Sequence, residues 1–342
     1  MRSPTPDLAA GLGPVDGAPP AALAAAGAPA RRPTTVRRRR QLVALALLTP
    51  TLLGMVIFFI YPLIMTVYYS FTAFDLSNPP RWNNFANWKY MFGGDPLIGT
   101  AALNTLWFIV ILVPVRIIGA MFVAWVLTRA RRTSGVLRTI YYLPALIPPV
   151  ASTIAYVFVL NPQNGPLNQI LRHFGIDGPG WFTDPAWAKP ALTFLGLWVL
   201  GDLMVILLAS LLDVPTEQYE AAELDGANSW QAFRYVTVPH MAPIILFSLI
   251  TGIIGALKYF TEPAVASATA QGKAAVGAGT SSLLGWPDSS TLTYGQLLYS
   301  KAFGANLLGY GSAMAVLLFV VTAIFMAVLL RKFKAYSPEV AS

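Results

Sequence analysis

Six long apolar stretches, separated by short polar and turn-forming runs, dominate the pattern along this chain. They cover roughly residues 42–71, 106–128, 140–160, 190–212, 243–265 and 307–330. A helix needs about 20 mostly apolar residues to cross a bilayer, and each stretch reaches that length. The pattern therefore predicts an all-α, polytopic membrane protein with six transmembrane helices. The first stretch is longer than needed and carries Pro50 and Pro62, which predict a kink, a tilt or an interfacial first turn. Connections hold the turn formers Asn78-Pro79-Pro80, Asn161-Pro162, Gly178-Pro179-Gly180 and Trp286-Pro287-Asp288. No internal repeat is visible.

The ends differ from the middle. Residues 1–36 are rich in Ala, Pro and Gly without apolar periodicity, and Arg37–Arg40 follow. Such a segment cannot offset its ordering entropy, so residues 1–40 are expected to be a disordered basic tail. A signal peptide would have an apolar core of only about 7–15 residues; the run from Leu42 to Phe71 is about twice that. Residues 41–336 form the membrane domain, and 337–342 a short C-terminal tail.

Composition supports the bilayer as solvent. The 342 residues are 56% hydrophobic and 11% charged, with mean hydropathy +0.59, whereas soluble domains carry about 25% charged residues. That excludes a soluble enzyme, a secreted disulfide scaffold and a mainly disordered chain. With no Cys and two distant His, His173 and His240, neither thiol chemistry nor a multi-His metal site is expected. The net charge of +8 is distributed by side: fifteen of the 23 Lys and Arg fall in the N-terminal tail, the loops after the second and fourth stretches, and the C-terminus. By the positive-inside rule both termini are cytoplasmic, in a multi-pass protein of the cell membrane. The basic balance then calls for no nucleic-acid partner.

One inside loop departs from that rule. Residues 213–242 carry five carboxylates, Asp213, Glu217, Glu220, Glu223 and Asp225. Glu217–Asp225 reads as a short helix with Pro215 near its start. Gly226 suits a left-handed exit. Ser229 is placed to cap a second helix carrying Trp230, Phe233 and Val236 on one side, ended by Pro239. From pattern alone this is either a docking surface for a cytoplasmic partner or a solvated connector.

The residues Glu220-Ala221-Ala222-Glu223-Leu224-Asp225-Gly226-Ala227, followed by Val236-Thr237-Val238-Pro239, closely resemble the EAA loop of binding-protein-dependent ABC importer permeases. Further stretches resemble the carbohydrate-specific, maltose-importer-type branch across about residues 42–335: Asn104-Thr105-Leu106, Tyr141-Tyr142-Leu143-Pro144, Gly165-Pro166-Leu167-Asn168, Phe260-Thr261-Glu262-Pro263, Tyr299–Phe303 and Gly309–Ala313. Ala268–Thr280 departs from that branch, lacking its glycine-rich turn. The resemblance implies the type I importer permease fold. It also implies that Glu220, Ala221, Ala222, Asp225, Gly226 and Pro239 belong to the surface that seats in an ATP-binding subunit. Implied partners are a second, homologous permease, two ATP-binding subunits, an extracytoplasmic solute-binding protein and membrane lipid. This chain has no G-x-x-x-x-G-K-[ST] loop, so ATP and Mg²⁺ belong to the partner subunit; no catalytic residue, metal or cofactor is expected here. The implied cargo is a sugar or oligosaccharide. The alternatives are another polar solute, such as a polyol or glycerol phosphate, and an ion-coupled secondary transporter, for which inverted repeats are missing.

Ionisable groups inside spans are costly and face a cavity or a partner. Arg116 and Asp202 fall near the middle of the second and fourth stretches and are expected to pair. Lys258 and Glu262, one turn apart in the fifth, are expected to pair along the helix or to touch cargo. Sugars bind through hydroxyl hydrogen bonds and through aromatic faces. The candidate cavity is therefore Tyr156, Trp198, Asp202, Lys258, Tyr259 and Glu262.

Overall fold

The computed structural model describes residues 34–129, 134–272 and 284–336. The expected tails at 1–33 and 337–342, and residues 273–280 of the divergent outer loop, lie outside them. The chain separates into two compact units, residues 1–61 and 62–342. The described part of the first unit is the helix Thr34–Met55 and a π-helical turn, Val56–Ile60. The helix begins inside the stretch expected to be tail. Apart from half-buried Gly54, every side chain from Leu42 to Ile60 is exposed, as in a helix whose whole circumference meets lipid.

Three helices are long and apolar enough to cross a membrane unbroken: Leu42–Tyr69, Leu97–Arg129 and Leu308–Arg331. Three more crossings arise only as bent pairs. Gly135–Leu146 meets Pro149–Val159 at 99°, Pro185–Trp198 meets Gly201–Leu212 at 52°, and Ser229–His240 meets Ala242–Leu257 at 68°. The architecture is helical. The described strands are Thr72–Ala73 and Arg81–Trp82, an antiparallel pair outside the spans.

Prolines explain much of the irregularity. A proline has no N–H for the carbonyl four residues back, and its ring collides with that carbonyl. Three π-turns, Val56–Ile60, Phe108–Leu112 and Phe233–Thr237, each end two residues before a proline: Pro62, Pro114 and Pro239. In each turn the carbonyl opposite the proline belongs to the middle residue, Phe58, Val110 or Tyr235. Widening the ladder to a five-residue bond lets the helix continue; Val113 N donates to Phe108 O, for example. In the third span two consecutive prolines leave no such escape. Ile147, before Pro148, is extended at ψ 132°, and the chain turns there.

The fifth span differs from the expected single helix over 243–265. It stops at Leu257 and restarts as Thr261–Ala270. Pro263 is the cause: in a continuous helix its ring would strike the Tyr259 carbonyl. That carbonyl instead accepts from Thr293 Oγ1 at 2.6 Å. The second span starts earlier than expected, at Leu97, and its first turns are fixed by contacts with distant segments. There Asn104 Nδ2 donates to the Ser289 and Leu292 carbonyls, its Oδ1 accepts from Lys189 Nζ at 2.8 Å, and Thr105 Oγ1 accepts from Tyr294 N.

The core lies between the second and fourth spans. Ala120 and Ala124, both fully buried, let the helices approach closely, and Leu127, Met204, Leu207 and Met241 pack in the same cluster. Gly201 is required because a Cβ there would overlap the Tyr141 carbonyl.

A buried ion pair ties the outer layer together. Asp95, with a fully buried side chain, accepts from Lys301 Nζ and from Tyr310 OH, each at 2.9 Å, and from Leu97 N at 3.1 Å. Burial alone would raise its pKa. The Lys301, Leu97 and Tyr310 hydrogen bonds and the Lys301 charge outweigh burial and hold the carboxyl below its ordinary value. Because the folded pKa is depressed, the pair's stabilisation is complete above the unfolded carboxylate value. It is lost as pH falls through the lower, folded one. Thermal unfolding in detergent should therefore show no Asp95-dependent change near neutral pH, and a loss that grows as pH falls through and below the ordinary carboxylate range. Asp95→Ala strands the Lys301 charge and should cost ~3–5 kcal/mol at neutral pH. A variant melting with the wild type would show that the pair contributes nothing.

Candidate functional site

Two broken helices open onto one cleft of about 410 Å³ in the membrane domain. The second, fourth and fifth spans line it. Its floor is apolar, with Leu112, Ile117, Leu203 and Phe247, and its polar rim holds Arg116, Asp202, Lys258, Tyr259 and Glu262. Of the six cavity residues expected from sequence, Asp202, Lys258, Tyr259 and Glu262 therefore converge. Tyr156 and Trp198 do not line the cleft; their rings stack on each other at 6.4 Å.

Arg116 organises the fourth-span side. Its Nη2 lies 2.7 Å from Asp202 Oδ1 and 3.3 Å from the Val199 carbonyl. Val199 sits at the break between Pro185–Trp198 and Gly201–Leu212, where the helical ladder stops. The guanidinium thus neutralises a carboxylate and satisfies a backbone carbonyl that the bend exposes. The expected Arg116–Asp202 pair is present. Across the break Trp198 and Asp202, four residues apart, lie on different helices.

On the fifth-span side the expected Lys258–Glu262 pair is absent. Among the described residues, the ion pairs are Arg116–Asp202 and Lys301–Asp95. Lys258 caps the C-terminal end of Ala242–Leu257, and Glu262 stands in the first turn of Thr261–Ala270. Each charge complements the dipole of its own helix end, and both face the same cleft. Ser248 and Thr251 also line it, while their hydroxyls bond to carbonyls of their own helix. Sequence reasoning missed them, although their i, i+3 spacing within an apolar run was a usable signal.

The loop at the other end of the fifth span folds largely as its sequence predicts. Thr216–Leu224 is helical, and Gly226 takes φ +78°. Ala227 N donates to Ala222 O and Gly226 N to Glu223 O, the two bonds of a left-handed helix exit. The second helix is capped one residue earlier than expected. Asn228 Oδ1 accepts from Gln231 N, and Gln231 Oε1 accepts from Asn228 N. This reciprocal box satisfies two helix-end donors, which Ser229 could not do alone. Nor does Pro239 end the helix, which continues to His240. Trp230 and Phe233 stack at 5.7 Å, whereas Val236 lines a separate groove with Ala221, Ala222, Asp225 and Pro239. Tyr219 OH and Thr237 Oγ1, 2.8 Å apart, lock the two helices together. Glu220, Ala221, Asp225 and Gly226 are exposed, and Leu224 is 89% exposed.

Residues 116–334 match the family model described as "Binding-protein-dependent transport system inner membrane component". The chain belongs to this family. The permease is 32% identical to the probable ABC transporter permease protein YesP of Bacillus subtilis (strain 168), covering 85% of this chain and 90% of that one. It is 26% identical to the arabinooligosaccharides transport system permease protein AraP of the same organism, over 85% of this chain and 88% of that one. A crystal structure of a bacterial ABC transporter that imports the acidic polysaccharide alginate shares the fold. Its TM-score is 0.70 at 21% identity, covering 86% of this permease and 96% of that chain. The membrane-embedded helical architecture expected from hydropathy, and the permease fold that the resemblance implied, are thus established.

The Arg116–Asp202 bond can be tested by a double-mutant cycle. The side chains are 33% and 56% exposed to the cleft, so the coupling belongs between surface and fully buried values, about 1–3 kcal/mol. Arg116→Leu and Asp202→Leu should each lower the yield of assembled, thermally stable protein, and the double substitution should recover part of the loss. Strictly additive losses would mean the pair contributes nothing.

Proposed function

We propose that this permease forms one half of the translocation path of an ATP-driven importer for a sugar or oligosaccharide. An extracytoplasmic binding protein delivers the cargo, and a second, homologous permease completes the pore. Two ATP-binding subunits, which use ATP and Mg²⁺, dock on the cytoplasmic side, where both termini of this chain also lie. The sugar assignment is supported by the relatives: AraP carries arabinooligosaccharides in its name, and the family is described as binding-protein-dependent. The cleft chemistry agrees. It offers donors at Arg116 and Lys258, acceptors at Asp202 and Glu262, and an aromatic ring at Tyr259, the groups a polyhydroxylated solute needs.

The observation that carries the reading is the exposed loop 216–240. Its first helix presents Glu220, Ala221 and Asp225 outward while Tyr219 anchors it from behind. Leu224, nearly bare, would be an unfavourable surface residue on an isolated loop and is explained by a partner that covers it. The second helix, Ser229–His240, runs into Ala242–Leu257, which lines the cleft. Movement of the docked subunit is thereby delivered to the wall of the path.

Glu220→Ala should remove a charge-assisted hydrogen bond to the ATP-binding subunit worth ~1.5–3 kcal/mol. Gly226→Asp should strain the left-handed exit by about 1–2 kcal/mol. Both should leave the permease in the membrane at near-normal abundance, lower co-purification of the ATP-binding subunit, and depress uptake sharply. Normal uptake by both variants would leave the loop a simple connector.

Topology is tested on the natural chain because it has no Cys. Asn78→Cys should react with a membrane-impermeant maleimide in intact cells, and Ser229→Cys only after permeabilisation. The reverse pattern would overturn the orientation.

A further inference from the structure

The segment between the first two spans carries a cluster of rings that the transport cleft does not use. Phe71 stacks on Trp82 at 5.6 Å and meets Phe85 edge-on at 5.2 Å; Trp88 and Phe92 lie 6.5 Å apart. Three of these rings are largely uncovered, Trp82 at 62%, Phe85 at 58% and Phe92 at 69% exposed, while Phe71 and Trp88 are half-buried beneath them. An aromatic patch of this kind on a surface facing water marks an interaction site.

Its order is built in. The helix Ala86–Gly93 turns Asn87 and Met91, four residues apart, inward: Asn87 Nδ2 donates to the Ser70 and Thr72 carbonyls, and Met91 is fully buried. Phe85, Trp88 and Phe92, at i, i+3 and i+7, then share another side of the same helix. The strand pair, which sets Thr72 opposite Trp82, brings Trp82 onto that side. Trp82 Nε1 donates to Asn84 Oδ1 at 3.0 Å, so its polar end is satisfied while its ring stays bare. Arg81 and Lys89, both exposed, flank the rings.

Chain length fixes where this patch lies. Phe71 is two residues beyond Tyr69, where the first span ends, and Phe92 is five residues before Leu97, where the second begins. At ~3.5 Å per residue these tethers reach at most about 7 and 17 Å. The helix bonds from Gly94 N and Asp95 N to Tyr90 O shorten the second further. The headgroup layer is about 5–7 Å thick on each side of the hydrocarbon. Phe71, on the short tether, and the Trp82 and Phe85 rings packed within 5.6 Å of it are therefore held near that level. Trp and other amphipathic rings favour that layer, and Lys and Arg stems lie along it with their charges at the phosphates.

We propose that Phe71, Trp82, Phe85, Trp88 and Phe92, flanked by Arg81 and Lys89, form an interfacial anchor. It inserts into the phospholipid headgroup layer of the leaflet opposite the coupling loop. The anchor holds the Asn87 brace, and with it the start of the last span, where Gly309 N donates to the Phe74 carbonyl, at a fixed depth. This rests on the membrane placement of the family and is independent of the cargo.

Phe85→Cys, Phe92→Cys and, as a polar control, Asn78→Cys are labelled with an environment-sensitive fluorophore. Each is placed in the assembled importer with cysteine-free partner subunits, reconstituted into phosphatidylethanolamine–phosphatidylglycerol vesicles. Only preparations with wild-type ATP hydrolysis are used, so folding is controlled. A nitroxide attached high on the lipid acyl chain should quench positions 85 and 92 at least about threefold more than position 78, and aqueous iodide should show the opposite order. Equal iodide quenching at all three positions would overturn the proposal. So would shielding of 85 and 92 that appears only when the binding protein is added, which would make the patch a protein-docking surface.

Discussion

A backbone carbonyl left bare in hydrocarbon costs several kcal/mol, yet this permease interrupts two of its helices beside its central cleft. The structure is arranged around that constraint. At the fourth-span break the Val199 carbonyl accepts from Arg116. At the fifth-span break the Tyr259 carbonyl accepts from Thr293. Each donor reaches in from a different part of the chain, so the breaks are held open by tertiary contacts rather than by local sequence alone. Once Arg116 is committed to Val199, Asp202 is needed to neutralise it. Once Thr293 is committed to Tyr259, the outer segment that carries it must be fixed, which Asn104, Thr105 and Lys189 accomplish.

The same breaks create the chemistry. An unbroken helix in lipid presents only side chains. A broken one presents ends, and ends carry partial charge. Lys258 and Glu262 lie on the two ends exposed by Pro263, each with the sign its helix end favours. The result is a cleft with donors and acceptors around an apolar floor and with formal charges that balance. Before the fifth span the ladder is instead kept intact through Pro239 by a π-turn. The bend comes at Met241, which is fully buried. The loop of residues 216–240 is thus joined to the cleft wall through one packed corner.

Much of this was legible in the sequence, and what was not has physical reasons. The membrane class, the helical architecture, the helix–turn–helix of residues 216–240 and the Arg116–Asp202 pair follow from hydropathy, motif spacing and the cost of an isolated charge. The left-handed turn at Gly226 could be read because only one residue type fits there comfortably. Helix breaks were harder. Pro62, Pro114, Pro239 and Pro263 look alike in sequence, but the first three are absorbed by π-turns while Pro263 ends a helix, because only there does an outside hydroxyl take over the freed carbonyl. Treating 243–265 as one helix led to a Lys258–Glu262 pair that the break forbids. The cap at Asn228 rather than Ser229 depended on Gln231 answering from three residues on. Tyr156 and Trp198 were placed in the cavity for their aromatic faces, whereas they stack on each other and do not line the cleft.

The central claim is that the cleft between the broken fourth and fifth spans is part of a path that opens alternately to the two sides. Thr251 is exposed on its wall, and a cysteine there is unique in the chain. In the assembled importer, Thr251→Cys should react with a membrane-impermeant thiol reagent, and trapping the ATP-binding subunits closed with nucleotide and vanadate should move its reactivity from one side of the membrane to the other. A residue 251 that stays unreactive from both sides, or reacts identically with and without the trap, would contradict the account.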